Sequence, residues 1–319
     1  MQYLDPGVPP VVNSFRAMAT SVTVSICPEL PAGNVDSSIA KVTRVFHETE
    51  SACSRFNPNS DLSQLNQSPA HWHSVTPYCF KAIEEAFRAY VMTHGLFDPR
   101  VLSDLLALGY KESWTTGIPE SRIENADQVR KPLPVWTPMF KGDNHILAGE
   151  FPLDLGGIGK GLALRWSGKE IASEHTNFLI EAGGDCVCSG DGPDHAGWNI
   201  GVQNPFQQDG DPSLVLRLSN SAVCTSSTAV RSWWQNGSLK HHIVDPETGK
   251  SGGKGLAAVT VVAEDPAEAE IWSKSLFLTG KDKIGEFSES SNICAAWVTD
   301  MGETSTNSLI RNHIIWMSP

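Results

Sequence analysis

Four glycines and one lysine crowd together in the middle of the chain, at Gly156, Gly157, Gly159, Lys160 and Gly161. Glycine lets the backbone approach a ligand closely and adopt positive φ. The N–H groups at the start of a helix, with the positive end of the helix dipole, bind phosphate groups. The stretch therefore predicts an anion-binding turn, to which Lys160 adds a full positive charge. Taken alone, an ordinary tight turn with a surface lysine explains the pattern at least as well.

Hydroxyl and imidazole groups form the next two candidate stretches. Thr225 and Ser226 open a run of hydroxyl residues that either binds phosphate oxygens or caps a turn. Further along, His241 and His242 precede a short apolar segment and Asp245. Histidine titrates near neutral pH and accepts protons as a general base. His242 and Asp245 are therefore candidate catalytic residues, with Asp245 orienting a histidine or a metal-bound water.

A carboxylate and an ammonium lie four residues apart at Glu270 and Lys274. On a helix this spacing puts both side chains on the same face, where a salt bridge contributes only about 0.3–0.5 kcal/mol. The functional alternative is that both side chains point into a phosphate site. Gly183 and Gly184, just before Asp185, either bring the backbone close to a ligand or mark a bulge in a sheet.

The elements that must position these residues follow from hydrophobic periodicity. Phe151, Leu153 and Leu155 alternate with other residues, which predicts a half-buried strand before the glycines and a helix after them to about Ser173. Further strands are predicted at 178–188 (interrupted by the glycine pair), 198–202, 214–218, 256–263, 292–299 and 307–316, with a helix at 266–278.

The N-terminal half of the chain predicts a strand at 22–26 and a helix at about 34–50. Ser60 is expected to cap a short helix, and Thr76 with Pro77 to open a longer one. Residues 111–148 predict an irregular excursion that ends in a hairpin around 142–144. Because strands and helices mix without regular βαβ alternation, we expect an α+β fold, with an arm at 1–12 and a single domain at 13–319.

Composition narrows the class of protein. The chain has 319 residues, 40% of them hydrophobic, which is enough for a sizeable core. A formal net charge of −12 without any dense basic run argues against nucleic-acid binding. The seven cysteines lack zinc-site spacing and predict free thiols in a reducing compartment. Because neither a signal peptide nor an apolar run of about 18 residues is seen, we expect a cytoplasmic protein without membrane insertion.

These stretches occur together, and in this order, in a known protein family. From about Phe15 to Gly280 the chain resembles the ApbE-like FAD:protein FMN transferases. Each matching stretch is weak evidence alone, but their common order is not expected by chance. The matching stretches are 17–20, 54–66, 95–99, 153–163, 181–185, 225–226 and 242–249.

The resemblance implies a single ApbE-like domain, with a mixed, mainly antiparallel sheet and packed helices, that holds FAD in a cleft. It also implies that the FMN half of FAD is passed to a Thr or Ser hydroxyl of an acceptor flavoprotein, which releases AMP. His242 is then the base that takes the hydroxyl proton. The residues that the resemblance places around FAD are Met18 and Phe56 beside the flavin, Phe97 and Asp98 beside the adenosine or ribose, Gly156, Gly157 and Lys160 at the pyrophosphate, and Thr225, Ser226, His242, Ile243 and Lys274 along the dinucleotide.

Mg²⁺ is the part of the resemblance from which this sequence departs. In the family, the metal is held by a backbone carbonyl of the glycine turn and by Asp and Thr side chains four residues apart. Here Gly159 supplies the carbonyl, but the side chains are those of Glu270 and Lys274. A charged lysine cannot ligate a metal. Either Mg²⁺ is retained with weaker ligation through Gly159 and Glu270, or the Lys274 ammonium takes its place. Arg165 is expected to add a further positive group nearby.

Two other functions stay open. A flavin-binding protein without transferase activity is suggested by the altered metal positions. An FAD pyrophosphatase that uses water as acceptor would release FMN and AMP. A Rossmann-type oxidoreductase is disfavoured because no G-x-G-x-x-G motif follows an N-terminal strand.

Overall fold

The computed structural model describes residues 9–28, 34–112, 132–207 and 209–318, and the backbone alone of residues 120–121. Residues 1–8 of the predicted arm, and much of the predicted excursion, lie outside this range. The helices are α1 Val35–Cys53, α2 Asp61–Gln67, α3 Pro77–Met92, α4 Leu102–Ala107, α5 Gly159–Ile171, α6 Pro266–Thr279 and α7 Lys281–Ser290, with 3₁₀ turns at Pro99–Val101 and Arg311–His313.

The strands are distributed among these helices, with eight consecutive strands between α5 and α6 in the described residues. They are β1 Val11–Ala17, β2 Thr20–Ile26, β3 His73–Ser74, β4 Glu120–Ser121, β5 Met139–Lys141, β6 His145–Leu147, β7 Phe178–Ala182, β8 Asp185–Ser189, β9 Trp198–Val202, β10 Leu214–Leu218, β11 Ser221–Ser227, β12 Ser232–Gln235, β13 Ser238–His241, β14 Leu256–Ala263, β15 Cys294–Thr299, β16 Thr304–Thr306 and β17 Ile314–Met317.

One sheet forms the centre of the molecule. Its eight strands follow the order β1-β2-β7-β8-β11-β14-β15-β16, and every neighbouring pair is antiparallel. Smaller sheets have the orders β17-β10-β9, β13-β12-β4 and β3-β6-β5, and the pairing of β12 with β4 is parallel. The predicted α+β fold with a mixed, mainly antiparallel arrangement is therefore confirmed.

Alternating burial shows why these segments became strands. Val22, Val24 and Ile26 of β2 are fully buried, whereas the residues between them are not. The same alternation holds in β9 and β10, which confirms the strands predicted from sequence periodicity. The predicted cap of α2 is also present, because Ser60 Oγ accepts a hydrogen bond from the N–H of Ser63 at 3.0 Å.

Helices α5 and α6 touch through their backbones at one glycine. A Cβ on Gly161 would lie 2.6 Å from both the Cα of Ala267 and the carbonyl oxygen of Pro266. Only glycine allows such a close approach. Because Gly161 is in the first turn of α5, the contact places α6 directly beside the glycine turn.

The segment before the glycine turn was predicted to be a half-buried strand. Its burial pattern is as predicted, but it is not part of a sheet. Leu153 and Leu155 are buried, but residues 152–155 pair with no neighbouring strand. The side-chain amide of Asn66 replaces the missing strand: its Oδ1 accepts from Leu153 N–H at 2.7 Å, and its Nδ2 donates to the Leu153 carbonyl at 2.8 Å. Because this amide satisfies both backbone groups, the segment runs extended without a ladder partner.

Two further predictions differ from the structure. Gly183 and Gly184 do not interrupt one strand. Both have positive φ (62° and 91°), and they form the two-residue turn of the β7–β8 hairpin, which reverses the chain. The predicted strand at 307–316 is also wrong, because β17 begins only at Ile314, after a 3₁₀ turn. The hairpin predicted around 142–144 is present as β5 and β6.

None of the seven cysteines, all of which lie in the described residues, forms a disulfide bond, as predicted. Six of them are buried, and Cys294 is half-buried. Within the described part of the chain, no helix has both the length and the apolar character needed to cross a bilayer.

Candidate functional site

A cleft of three adjoining cavities surrounds the glycine turn. We call them the Phe97 cavity, the Met18 cavity and the Thr225 cavity. Gly156 and Arg231 line all three, so the cavities meet at these two residues.

The cleft collects most of the site residues predicted from the sequence. The exceptions are Asp245 and Arg165, which line none of the three cavities. Those lining the cleft are Met18, Phe56, Phe97, Asp98, Gly156, Gly157, Gly159, Lys160, Thr225, Ser226, His242, Ile243, Glu270 and Lys274.

The glycine turn owes its composition to close packing. None of the glycines from 156 to 161 has positive φ. A Cβ on Gly157 would instead lie 3.0 Å from the Phe97 ring and 3.3 Å from the Lys274 side chain. The missing side chain therefore lets Phe97 and Lys274 close over the turn from both sides. Asp154 Oδ1 accepts a hydrogen bond from Gly156 N–H at 2.8 Å and fixes the start of the turn.

The N-terminus of α5 already holds one carboxylate. Glu270 is 1% exposed, and its Oε2 accepts the N–H of Gly161 at 2.7 Å. An acidic group at this end of a helix is stabilised by the helix dipole and the free N–H groups. Its other oxygen, Oε1, lies 3.1 Å from the Lys274 Nζ. The Glu270–Lys274 salt bridge therefore forms as helical spacing predicts, and it does so inside the Thr225 cavity.

Lys160 also carries a carboxylate partner. Its Nζ pairs with Asp185, a buried residue whose Oδ1 accepts the N–H of Thr225 at 2.9 Å. Burial alone would lower the pKa of Lys160, but the charges of Asp185 and Glu270 outweigh it and raise the pKa. Lys160 is therefore protonated at neutral pH. It lines both the Met18 and the Thr225 cavities.

Arg231 is the most central cation, and the sequence reasoning missed it. It lies in the bend between β11 and β12 and lines every cavity of the cleft. Among the described residues, no carboxylate forms an ion pair with its guanidinium. Its only signal in the sequence is its position between the hydroxyl run and the histidine pair.

His242 is held in one orientation by the backbone of Arg231. Nδ1 of His242 lies 3.3 Å from the Arg231 carbonyl oxygen, and the His242 backbone N–H donates to the same oxygen at 3.3 Å. Burial and the nearby charges of Arg231 and Lys274 lower the pKa of His242 well below its ordinary value. The imidazole is therefore neutral at pH 7. Because a carbonyl can only accept, Nδ1 carries the proton and Nε2 keeps its lone pair.

Asp245 is engaged in its own turn. Its Oδ1 accepts the N–H of Glu247 at 2.9 Å, and its Oδ2 accepts the Thr248 hydroxyl at 2.8 Å. This is the geometry of an aspartate that stabilises a turn. The carboxylate does not hydrogen-bond to His242, so the expected orienting contact between Asp245 and this histidine is not present in the structure.

Aromatic and guanidinium groups stack where the Phe97 and Met18 cavities meet. The Arg55 guanidinium carbon lies 4.1 Å from the ring centroid of Phe56 and 4.6 Å from that of Tyr110. Arg55 is fixed by an ion pair with Asp154 at 2.6 Å. Phe56 is 39% exposed, so one face of this stack is open to a planar ligand. Arg55 adjoins Phe56 in the sequence, but no local signal identifies Tyr110.

Several of the predicted polar residues bond to neighbouring polar side chains that the sequence reasoning did not single out. The Asp98 carboxylate is bound by the Arg100 guanidinium, with Oδ2 2.7 Å from Nη2. Thr225 Oγ1 lies 2.9 Å from the Thr260 hydroxyl. Ser226 Oγ lies 2.8 Å from the Ser273 hydroxyl, which is buried on α6. These bonds hold β11, β14 and α6 together behind the cleft.

Arg165 does not join the cleft, contrary to expectation. Its guanidinium bridges Glu85 of α3 and Asp265, the cap of α6, with both distances 2.7 Å. Arg165 therefore ties three helices together on the far side of α5. Within the described residues, no group of three or more His, Cys, Asp and Glu side chains is arranged to hold a metal ion.

Comparison with known proteins gives consistent matches. The sequence model of the ApbE family matches residues 18–298. An FAD:protein FMN transferase of Chlamydia muridarum is 27% identical over 271 residues, 82% of this chain and 81% of that protein. One from Escherichia coli K12 is 24% identical over 279 residues, 86% of this chain and 75% of that protein.

Solved structures match the fold along almost the whole chain. The ApbE protein of Thermotoga maritima has a TM-score of 0.79 at 25% identity, covering 95% of this chain and 99% of that one. The flavin transferase ApbE of Vibrio cholerae has a TM-score of 0.77 at 19% identity, with the same coverage. At that identity, the second match supports the fold alone.

Proposed function

The chain belongs to the ApbE family, and from this premise we propose how it acts as an FAD:protein FMN transferase. It moves the FMN moiety of FAD to an acceptor flavoprotein. The observation that carries this function is the meeting of three cavities at Gly156 and Arg231. A dinucleotide needs two recesses for its ring systems, joined by a basic centre for its pyrophosphate, and the cleft offers this combination.

We place the flavin beside Met18 and the exposed face of Phe56, in the Met18 cavity. The adenosine takes the Phe97 cavity, between Phe97 and Ile243. The pyrophosphate then lies at the glycine turn, within reach of Arg231. The stack of Arg55 on Phe56 and Tyr110 supports this placement, because a planar heteroaromatic ring extends such a stack.

The reaction is a substitution at the phosphorus of the FMN half. The oxygen of a Thr or Ser hydroxyl on the acceptor attacks this phosphorus and forms a phosphoester bond. The bond from phosphorus to the bridging oxygen breaks, and its electron pair leaves with AMP. Nε2 of His242 takes the hydroxyl proton, since its lone pair is free while Nδ1 faces the Arg231 carbonyl. Positioning and charge neutralisation supply most of the catalysis in such reactions.

Mg²⁺ is implied by the family, and the residues present do not fit it. Of the two proposed ligands, Glu270 has one oxygen on Gly161 N–H and the other on Lys274 Nζ. The Lys274 ammonium projects into the cavity where a metal would need oxygen ligands. The Gly159 carbonyl alone makes no Mg²⁺ site. We therefore derive no step of the reaction through a metal.

The partner is a flavoprotein, and we propose that its modified residue is a Thr or Ser. The free thiols support a reducing compartment such as the cytoplasm. We propose that 13–319 form one ApbE-like domain. The predicted arm at 1–12 overlaps it, because β1 of the central sheet begins at Val11.

The test mixes the purified protein with FAD and an acceptor flavoprotein domain. The expected product is an acceptor band that keeps flavin fluorescence after denaturation, with one AMP released for each flavin bound. AMP release without any acceptor would instead establish an FAD pyrophosphatase. FAD binding with neither product would establish a flavin-binding protein.

A further inference from the structure

We propose that two side-chain cations, Lys274 and Arg231, neutralise the pyrophosphate in place of a divalent metal, so that FMN transfer by this chain is metal-independent. The inference rests on the proposed function, because it concerns the same cleft and the same substrate. Charge on the phosphates must be neutralised for attack at phosphorus, and metal ions supply this charge in many phosphoryl-transfer enzymes.

Glu270 is not available as a metal ligand. It is almost fully buried, and each of its oxygens already has a partner: Gly161 N–H at 2.7 Å and Lys274 Nζ at 3.1 Å. A cation on a remaining lone pair would lie beside the Lys274 ammonium or the positive end of the α5 dipole, and both repel positive charge. Gly161 also locks α6 against α5, because a Cβ there would lie 2.6 Å from the α6 backbone. The Glu270 carboxylate therefore stabilises the contact between α5 and α6 and is not placed to act as a metal ligand.

Lys274 occupies the position from which a cation would face the phosphates. Its side chain packs against Gly157 in the glycine turn and lines both the Phe97 and the Thr225 cavities. An ammonium has three N–H donors, and the structure assigns one of them to Glu270. The other two are available to phosphate oxygens. A lysine acts on phosphate as a compact point charge, which is also the role of a divalent ion bound by few protein ligands.

Arg231 supplies a positive charge that no acidic side chain among the described residues balances by an ion pair. Lys160 is balanced by Asp185 and Lys274 by Glu270, whereas no described carboxylate pairs with Arg231. Arg231 therefore adds a positive charge without a described acidic partner at the point where the cavities meet. A guanidinium also binds two phosphate oxygens at once, which orients the leaving AMP as well as neutralising it.

The chemical balance of the step needs no further co-reactant. The acceptor hydroxyl oxygen bonds to the FMN phosphorus, its proton passes to His242, and the electron pair of the broken bond stays on the AMP phosphate. Lys274 and Arg231 stay protonated throughout. They stabilise the negative charge that develops on the bridging oxygen as the bond breaks.

The first experiment measures flavin transfer and FAD binding with the purified protein in EDTA and in MgCl₂. We expect transfer rates and FAD affinities within about twofold of each other in the two buffers, since the charge is supplied by side chains. A loss of either quantity in EDTA that is greater than about twofold, relative to the same protein in MgCl₂, overturns the proposal.

The second experiment replaces the cation. Lys274→Ala is expected to lower the transfer rate in EDTA by about 100-fold, while Lys274→Arg keeps most of it. Removal of the ammonium also frees one Glu270 oxygen, so we expect MgCl₂ to restore part of the Lys274→Ala activity. A merely structural role for Lys274 would give no such rescue. Lys281→Ala is the matched control, because this lysine pairs with Glu303 at the surface outside the cleft.

The two proposals fail in different ways. If the unmodified protein transfers no flavin in either buffer, the proposed function is wrong. Measurements of FAD binding then decide this inference by themselves. Metal-independent binding that weakens about tenfold in Lys274→Ala and in Arg231→Ala supports it. Binding that requires Mg²⁺, or that neither substitution weakens, overturns it. Thermal unfolding of each variant shows that the comparison is made between folded proteins.

Discussion

The carbonyl oxygen of Arg231 lies 3.3 Å from Nδ1 of His242, and this contact fixes which nitrogen of the imidazole carries the proton. Arg231 thus acts twice in the cleft. Its backbone orients the candidate base, and its side chain supplies the positive charge at the junction of the three cavities. A shift of the bend between β11 and β12 would disturb both at once.

Replacement of His242 by Ala should abolish flavin transfer but leave FAD binding nearly unchanged. General bases contribute about 100- to 10,000-fold, so we expect a loss in this range, measured as flavin fluorescence on the acceptor. His241→Ala is the control, because this neighbouring imidazole packs against Phe277 outside the cleft. Transfer by His242→Ala within about tenfold of the unmodified rate would remove His242 from the mechanism.

The pH dependence of transfer should reflect the lowered pKa of His242. An unperturbed histidine loses half of its neutral form at about pH 6.5. Because burial, Arg231 and Lys274 hold the pKa of His242 well below this value, the base stays neutral as the pH falls past it. We expect kcat/KM for FAD, which reports the free enzyme, to stay level from about pH 8 down to about pH 6. A halving of kcat/KM near pH 6.5 would show that the imidazole has an ordinary pKa.

Phe56→Ala should weaken FAD binding by about tenfold, because stacking on an aromatic side chain contributes about 1–3 kcal/mol per ring. The measurement is a titration of FAD fluorescence. Trp72→Ala is a matched control, since Trp72 is also an exposed aromatic next to a cation, with Lys141 Nζ 4.0 Å from its ring centroid, but lies outside the cleft. Equal affinities for the two variants would place the flavin elsewhere.

Gly161→Ala should destabilise the protein, although alanine is the better helix former by about 1 kcal/mol. The added Cβ meets the backbone of α6 at 2.6 Å, and backbone atoms cannot move aside as a flexible side chain can. We expect the free energy of unfolding to fall by about 3 kcal/mol, measured by denaturant titration.

Gly142→Ala is the control for this substitution, because nothing lies within 4 Å of the added Cβ. Its stability should change by less than about 0.5 kcal/mol. If Gly161→Ala matched it, the contact between α5 and α6 would be looser than the structure shows.

Sequence patterns correctly predicted those features that depend on interactions between residues close together in the chain. The burial of Leu153 and Leu155, the cap at Ser60 and the strands with period-two alternation follow from the residues themselves. The same alternation predicted a strand at Leu153, where the structure has none. The backbone of Leu153 is hydrogen-bonded instead to the side chain of Asn66, 87 positions away. No periodicity reveals a side-chain amide that takes the place of a strand.

The site was predicted through motifs, and the misses are residues whose roles depend on tertiary contacts. Arg231 and Arg165 look alike as isolated basic residues in the sequence. In the structure, two carboxylates hold Arg165 between helices, whereas Arg231 faces the cleft without a described acidic partner. Only the positions of the carboxylates distinguish the two, and these are set by the packing of α3, α5 and α6.

The order of strands in the central sheet has a consequence for how the cleft comes into being. Val22 of β2 pairs with Ala182 of β7, and β8 beside it pairs with β11, so neighbours in space are far apart in the chain. Such distant pairings close large loops and form slowly. The cleft is lined by residues from Met18 to Lys274, so we expect it to form only after these distant pairings are made. A ligand such as FAD that binds the folded cleft and not the unfolded chain is then expected to stabilise the native state.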